Sequence, residues 1–147
     1  MKIKIKTFNE FSLEELYKVL QLRSEVFVVE QNCVYQDIDG KDQKSLHILG
    51  FKNNELIAYT RCFDKGIYFK EASIGRVIVK ENERKFNYGH EILKASIEVI
   101  ESRFKTAKIK ISAQQYLTKF YESHAFKQTG EGYLEDGIPH IAMIKGF

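Results

Sequence analysis

Val77-Ile78-Val79, then after a charged interval Arg84-Lys85-Phe86-Asn87-Tyr88-Gly89, then an apolar repeat running on from Ile92, is the stretch that decides the fold. Three β-branched residues read as a strand. Ile92, Leu93, Ile97, Ile100 and Phe104 recur at helical spacing and mark the buried stripe of a helix that begins near Tyr88. A strand therefore feeds a loop, and the loop feeds a helix N-terminus. Such a terminus carries unpaired backbone N–H groups and about half a positive charge, which suits a pyrophosphate. Gly89 removes a side chain where backbone and phosphate must approach. Arg84 and Lys85 add charge-assisted donors, and His90 follows directly.

Outward from this segment the chain alternates strand and helix signals. Lys2 to Lys6 alternates lysine with isoleucine, a two-residue period that predicts a strand with one buried face. Ser12 and Glu15 form a capping box. Leu13, Leu16, Tyr17 and Leu20 then predict a helix from about residue 13 to the mid-twenties. Residues 31–45 are polar and read as a loop. Leu46 to Phe51 and Glu55 to Phe63 are apolar-rich runs joined by Lys52-Asn53-Asn54, a hairpin. Ser73 to Val79 is a strand, and Lys80 to Tyr88 a charged loop. Lys108 to Ile111 alternates again, Leu117 to Ser123 is a short helix, and Tyr133 to Ile144 reads as a final hairpin turning at Asp136-Gly137. This order specifies an α/β domain with a mixed sheet, one domain over residues 1–147.

Composition narrows the function classes. The chain has 147 residues, 44% hydrophobic and 29% charged, a globular balance. Its formal net charge is +3, and lysine and arginine are scattered rather than striped. That argues against a nucleic-acid partner. No apolar run is long enough to span a membrane, and the opening Met-Lys-Ile-Lys-Ile-Lys lacks the apolar region of a signal peptide. Cys33 and Cys62 read as reduced thiols, and the expected compartment is the cytoplasm. Asp37-x-Asp39-Gly40-x-Asp42 has the look of a calcium loop, but its sixth and twelfth positions hold Asp42 and Ile48 where an EF-hand needs glycine and glutamate. The four histidines form no close-spaced ligand pair, so no metal is expected.

Arg84 to Gly89 resembles the acyl-CoA signature of the GNAT superfamily, Arg/Gln-x-x-Gly-x-Gly/Ala. Arg84 and Gly89 match its ends, and Asn87 stands where the first glycine is usual; asparagine tolerates the left-handed backbone conformation better than most residues. Gln114 to Phe126 is similar to the superfamily's second segment, with Tyr121 and Phe126 matching and Gln114 and Ala125 departing. Leu22 to Gln31, Asp37-Ile38-Asp39-Gly40, Ile74 to Val79 and Asp136 to His140 are similar to the ElaA-like branch. The resemblance covers nearly the whole chain.

It implies a central mixed, mostly antiparallel sheet of six to seven strands flanked by helices. It also implies direct transfer of an acetyl group from acetyl-CoA to a primary amine. On that basis pantetheine pairs with the edge of Val77, Ile78 and Val79, and a backbone N–H near Val77 or Ile78 meets the developing oxyanion. A donor of this kind contributes about 3 kcal/mol. Arg84, Lys85, Asn87, Tyr88, Gly89, His90 and Gln114 are the other cofactor-binding positions. Tyr121 matches the usual general acid for the leaving thiolate. The amine must lose a proton, which for a lysine-like amine at pH 7 costs roughly 5 kcal/mol. Glu30, Asp37, Asp39, His47 and His140 are the candidate bases, and His140 is favoured because an imidazole titrates near the operating pH. Glu30, Gln31, Asp37, Asp39 and His47 are the expected substrate-binding residues. The acceptor is a small-molecule or protein amine, and the C-terminal hairpin is a surface on which a homodimer could pair. Two alternatives remain at this level. The departures at Asn87, Gln114 and Ala125 fit a non-catalytic acyl-CoA-binding module. The N-terminal half also resembles acyl-homoserine-lactone synthases, although this chain contains no tryptophan.

Overall fold

One asparagine pair and one Asp-Gly pair set the hairpins. In the computed structural model, which describes residues 1–146, strand β2 (Leu46–Lys52) turns into β3 (Glu55–Phe63) through Asn53 and Asn54. Both are left-handed, at φ 52° and 65°, as a two-residue hairpin turn that follows the strand twist requires. The second tight hairpin joins β6 (Lys127–Glu135) to β7 (Ile138–Lys145) through Asp136 and Gly137, at φ 49° and 77°. The remaining strands are β1 (Lys2–Thr7), β4 (Ser73–Val79) and β5 (Ile109–Gln114).

Among the described residues the expected six to seven strands are seven, split into two antiparallel sheets ordered β1-β2-β3-β4 and β5-β7-β6. The sheets meet at one parallel bridge, Ala72 to Ile109, where the Lys110 N–H donates to the Ala72 carbonyl at 2.8 Å. Beyond it β4 and β5 part. The β4 edge that faces β5 therefore has no strand partner over Val77–Val79. The other edge of β4 is also irregular. Tyr59 pairs with Ile78 and Arg61 with Gly75, so β4 carries one extra residue, and Arg76 there takes φ 50°. This is a β-bulge, which bends the strand and re-aims its side chains.

Period-two alternation sends neighbouring residues of the first sheet into two cores. Ile48 packs with Ile92, Leu93 and Ile100 of helix α2 (Tyr88–Arg103). Leu49 packs with Val19 and Leu22 of helix α1 (Leu13–Arg23). The capping box forms as read: Glu15 N–H donates to Ser12 Oγ at 3.1 Å, and Ser12 N–H to Glu15 Oε1 at 2.9 Å. The α-helix stops at Arg23 rather than in the mid-twenties. A wider π-helical segment, Ser24–Glu30, continues it. Val26 in this segment stays in the core, while Glu30 and Gln31 reach the cleft described below.

The charged interval after β4 is wound into a 3-10 turn, Glu81–Phe86. Helix α3 (Thr118–Glu122) is shorter than read, with a 3-10 turn before it. Strand β6 starts six residues earlier than Tyr133, at Lys127. All of β6 is exposed, so no buried face wrote a period into its sequence.

The 31–45 segment is fastened by buried charges. Arg23 is fully buried and donates from Nε to Asp37 at 2.9 Å and from Nη1 to Asp42 at 2.8 Å. Arg61 bonds Asp39 and Asp42, and Arg76 bonds Asp37 at 2.7 Å. Burial opposes ionisation of Asp42 and Asp39, but the guanidinium bonds outweigh it and hold both carboxyls below the usual range. Asp42→Asn leaves two buried guanidinium groups short of a charged acceptor, and urea unfolding should show a loss of about 3–5 kcal/mol. Because the folded values are depressed, the stability these carboxylates contribute is present above the ordinary aspartate value of 3.8. It is lost as the pH falls through the folded values. The acid limb of stability against pH should be shallower in Asp42→Asn.

Candidate active site

The parting of β4 and β5 opens a cleft of about 400 Å3. One wall is the unpaired edge of Val77–Val79. The end of the π-helical segment forms a second, the polar face of the second sheet a third, and α3 closes the inner end.

Asn87 sits at the N-cap of α2 in the left-handed conformation, φ 62° and ψ 18°, with no side-chain cap on the helix. The substitution of asparagine for glycine therefore leaves the loop conformation intact, since asparagine is among the few residues that accept it readily. The first turn of α2 keeps its N–H groups free of a side-chain cap, as an anion site needs. A Cβ on Gly89 would meet Phe120 at 3.5 Å and Val79 at 3.7 Å, ordinary contacts. The glycine is thus not required by the protein's own packing; it keeps the cleft clear beside the helix terminus.

Arg84 lines the cleft but is engaged. Its Nε donates to the Val79 carbonyl at 2.9 Å, and its two terminal nitrogens donate to the Glu30 carboxylate at 2.6 and 2.8 Å. Gln31 and Gln114 exchange amide hydrogen bonds at 3.2 and 3.3 Å across the cleft. Lys85, Asn87, Tyr88 and His90 cluster at the start of α2 outside the cleft lining. Lys85 lies over the Phe86 ring, Tyr88 packs on the same ring, and His90 Nδ1 meets His124 Nε2 at 2.9 Å.

Tyr121 is 6% exposed and lines the cleft. Its ring packs edge-on against Phe120 and Phe126, and its hydroxyl has no hydrogen-bond partner among the described residues. Burial pushes the phenol above its ordinary range, so it stays protonated throughout neutral pH. His140 is 5% exposed. Its Nδ1 lies 2.7 Å from the Ile138 carbonyl, and its Nε2 lies 3.3 Å from Glu135 Oε2. A carbonyl only accepts, so Nδ1 carries the proton in the neutral ring.

Three residues expected at the substrate do not line the cleft. Asp37 and Asp39 turn to Arg23, Arg61 and Arg76, which α1, β3 and β4 supply. His47 is 1% exposed and is held by Ser45, Tyr59 and the Asp42 carbonyl. Burial also pushes its imidazole below the usual range. Asp37 and His47 are corrected to internal positions, the one held by guanidinium partners and the other by three neighbours in the core; Asp39 is half-buried and committed to Arg61 rather than to the cleft. In exchange the cleft contains Ser112, Cys33, Glu135 and Arg76. Sheet parity is the signal that finds Ser112, which lies two residues before Gln114 on β5.

A family model described as an acetyltransferase (GNAT) domain matches residues 7–147. Protein ElaA of Escherichia coli is 44% identical over 139 residues, 93% of this chain and 91% of that protein. The chain belongs to the GNAT acetyltransferase family, in its ElaA-like branch. The crystal structure of E. coli ElaA superposes with a TM-score of 0.92 at 41% identity, covering 99% of both chains. An acyl-CoA N-acyltransferase from Pseudomonas aeruginosa also reaches 0.92, at 35% identity over 99% of this chain and 100% of that one. The acyl-homoserine-lactone synthase LasI, at 13% identity and a TM-score of 0.79, shares the fold alone.

In this GNAT chain the Glu30–Arg84 pair is partly exposed, at 28% and 42%, so it contributes at most about 1 kcal/mol. Glu30→Gln releases Arg84 and should tighten CoA binding by up to about fivefold in calorimetry.

Proposed function

We propose that the protein transfers an acetyl group from acetyl-CoA to a primary amine by direct attack on the thioester, as one domain over residues 1–147 in the cytoplasm. The observation that carries this reading is the juxtaposition of three features in one cleft: an unpaired strand edge, an uncapped helix N-terminus at its end, and a buried tyrosine whose hydroxyl has no hydrogen-bond partner among the described residues. The family supports the acyl-transfer class, and the free thiols Cys33 and Cys62 fit a reducing compartment.

The chain's residues divide the work. The edge of Val77–Val79 offers main-chain donors and acceptors to the pantetheine amides, a form of strand addition. The uncapped turn of α2 and Arg84 take the pyrophosphate. The bulge leaves Val77 without a register partner on β3, so its N–H is the proposed donor to the carbonyl oxygen as negative charge grows there. Nitrogen forms the C–N bond, the C–S bond breaks, and the thiolate sulfur takes the Tyr121 proton. Because burial raises the phenol's proton affinity, the transfer must follow sulfur charge as it develops. His140, with its lone pair on Nε2, is the proposed acceptor of the amine proton.

Two variants test the reading. Gly89→Asp places a carboxylate beside the helix terminus and should weaken acetyl-CoA binding at least about tenfold by repulsion while the fold persists. Tyr121→Phe should keep acetyl-CoA affinity and lower kcat about 100-fold or more. Wild-type binding without turnover on any amine would instead establish a non-catalytic acyl-CoA module. No binding at all would remove the proposal.

A further inference from the structure

The polar face of the second sheet carries a carboxylate that has no role so far. β5 alternates, with Ile109, Ile111 and Ala113 in the core, so Ser112 and Gln114 point the other way. Gln114 registers with His140 on β7, and Tyr133 on β6 registers with the same His140. Three strands thus present one polar surface to the cleft. Glu135, at the end of β6, lies across it. Its Oε1 accepts from Ser112 Oγ at 3.3 Å, and its Oε2 lies 3.3 Å from His140 Nε2. Ser112 also bonds the Tyr133 hydroxyl, and the Tyr133 ring stacks on His140 with planes 23° apart.

Two observations separate Glu135 from Glu30. First, Glu30, the other glutamate of the cleft wall, is saturated by Arg84. Among the described residues no lysine or arginine reaches Glu135. Second, His140 Nδ1 faces the Ile138 carbonyl, so in the neutral tautomer this contact selects, Nε2 presents a lone pair to a carboxylate oxygen. Two acceptors facing each other at 3.3 Å leave a place for a donor that carries positive charge. A protonated primary amine has three N–H donors and a single charge.

We infer that Glu135 and His140 Nε2 form the acceptor subsite and that the acceptor is an alkylammonium: a cationic aliphatic amine, such as a diamine or a lysine side chain, rather than an aromatic amine or an alcohol. Glu135 is the recognition group. The ammonium gives one proton to His140 Nε2, the carboxylate balances the imidazolium so formed, and the amine keeps its lone pair for attack. That proton leaves later to solvent, and the second proton, lost from nitrogen as the amide forms, restores the Tyr121 phenol. The catalytic half of this inference rests on the acetyl-transfer reading; the binding half does not.

The test therefore begins without acetyl-CoA. The imidazole 13C resonances of His140 are followed while wild type is titrated with n-butylamine, aniline or n-butanol. A saturable shift with n-butylamine alone, weakened about tenfold or more in Glu135→Gln and restored by Glu135→Asp, supports the subsite. Equal responses to all three probes, no saturable response in wild type, or an unchanged affinity in Glu135→Gln would overturn it. In turnover, Glu135→Gln should lower the ratio of kcat/KM for n-butylamine to that for aniline about tenfold, mainly through KM. An unchanged ratio overturns the catalytic half. Failure of acetyl-CoA to bind would count against the acetyl-transfer reading and leave the amine titration standing.

Discussion

Everything at the cleft depends on β4 losing its neighbour. Ala72 still pairs with β5, but the strand beyond it does not. Backbone N–H and C=O groups are obligatory hydrogen-bonding groups, so an open edge inside the fold is free to pair with water or with an extended ligand. Here the opening is wedged from both sides. α2 packs its Ile92–Leu93–Ile97 stripe under the first sheet, and the π-helical segment spans the gap by Glu30–Arg84 on one side and Gln31–Gln114 on the other.

The two cores share the task of holding that geometry. The larger core ties both sheets to α2, so the parallel bridge cannot slide without disturbing Ile74, Ile109 and Ile111. The smaller core fixes α1 against Leu49 and Tyr59. From α1 the fully buried Arg23 fastens the 31–45 loop through Asp37 and Asp42. Arg76, at the bulge of β4, bonds the same Asp37. The bulge, the loop and the start of the π-helical segment are therefore coupled through one carboxylate. Buried ion pairs add little net stability but strongly penalise a missing partner, which suits a role in fixing one arrangement of the cleft wall.

The fold was legible where one local rule dominates. Asn53-Asn54 and Asp136-Gly137 announce their turns, Ser12 and Glu15 announce their helix, and the Ile92–Phe104 stripe announces α2. The loop between β4 and α2 was legible through Arg84 and Gly89, and the asparagine between them adopts the backbone conformation that glycine would supply. The acidic loop was misread for a non-local reason. Asp37 and Asp39 look like solvated or ligand-facing carboxylates until Arg23, Arg61 and Arg76 are brought to them from three other elements. His47 shares that history. Glu135 was missed because β6 is exposed along its whole length and so carries no periodicity from which to infer its facing.

The charges in the cleft are arranged for exchange rather than for initial capture. Arg84 is already bonded by Glu30, and both are partly exposed, so the pair is weak and can open. A pyrophosphate offers the same guanidinium a bidentate anion of greater charge, next to an uncapped helix N-terminus that Glu30 does not use. Replacing one carboxylate by that anion is favourable, whereas bringing a phosphate to a guanidinium buried among carboxylates, as Arg23 and Arg61 are, would strand a buried anion. The difference in burial between these arginines therefore separates the one that can change partners from those that hold the scaffold. On the proposed acetyl-transfer reading, Arg84 turning to a phosphate releases the Glu30 carboxylate at the cleft wall, and the negative charge so freed favours a cationic second substrate.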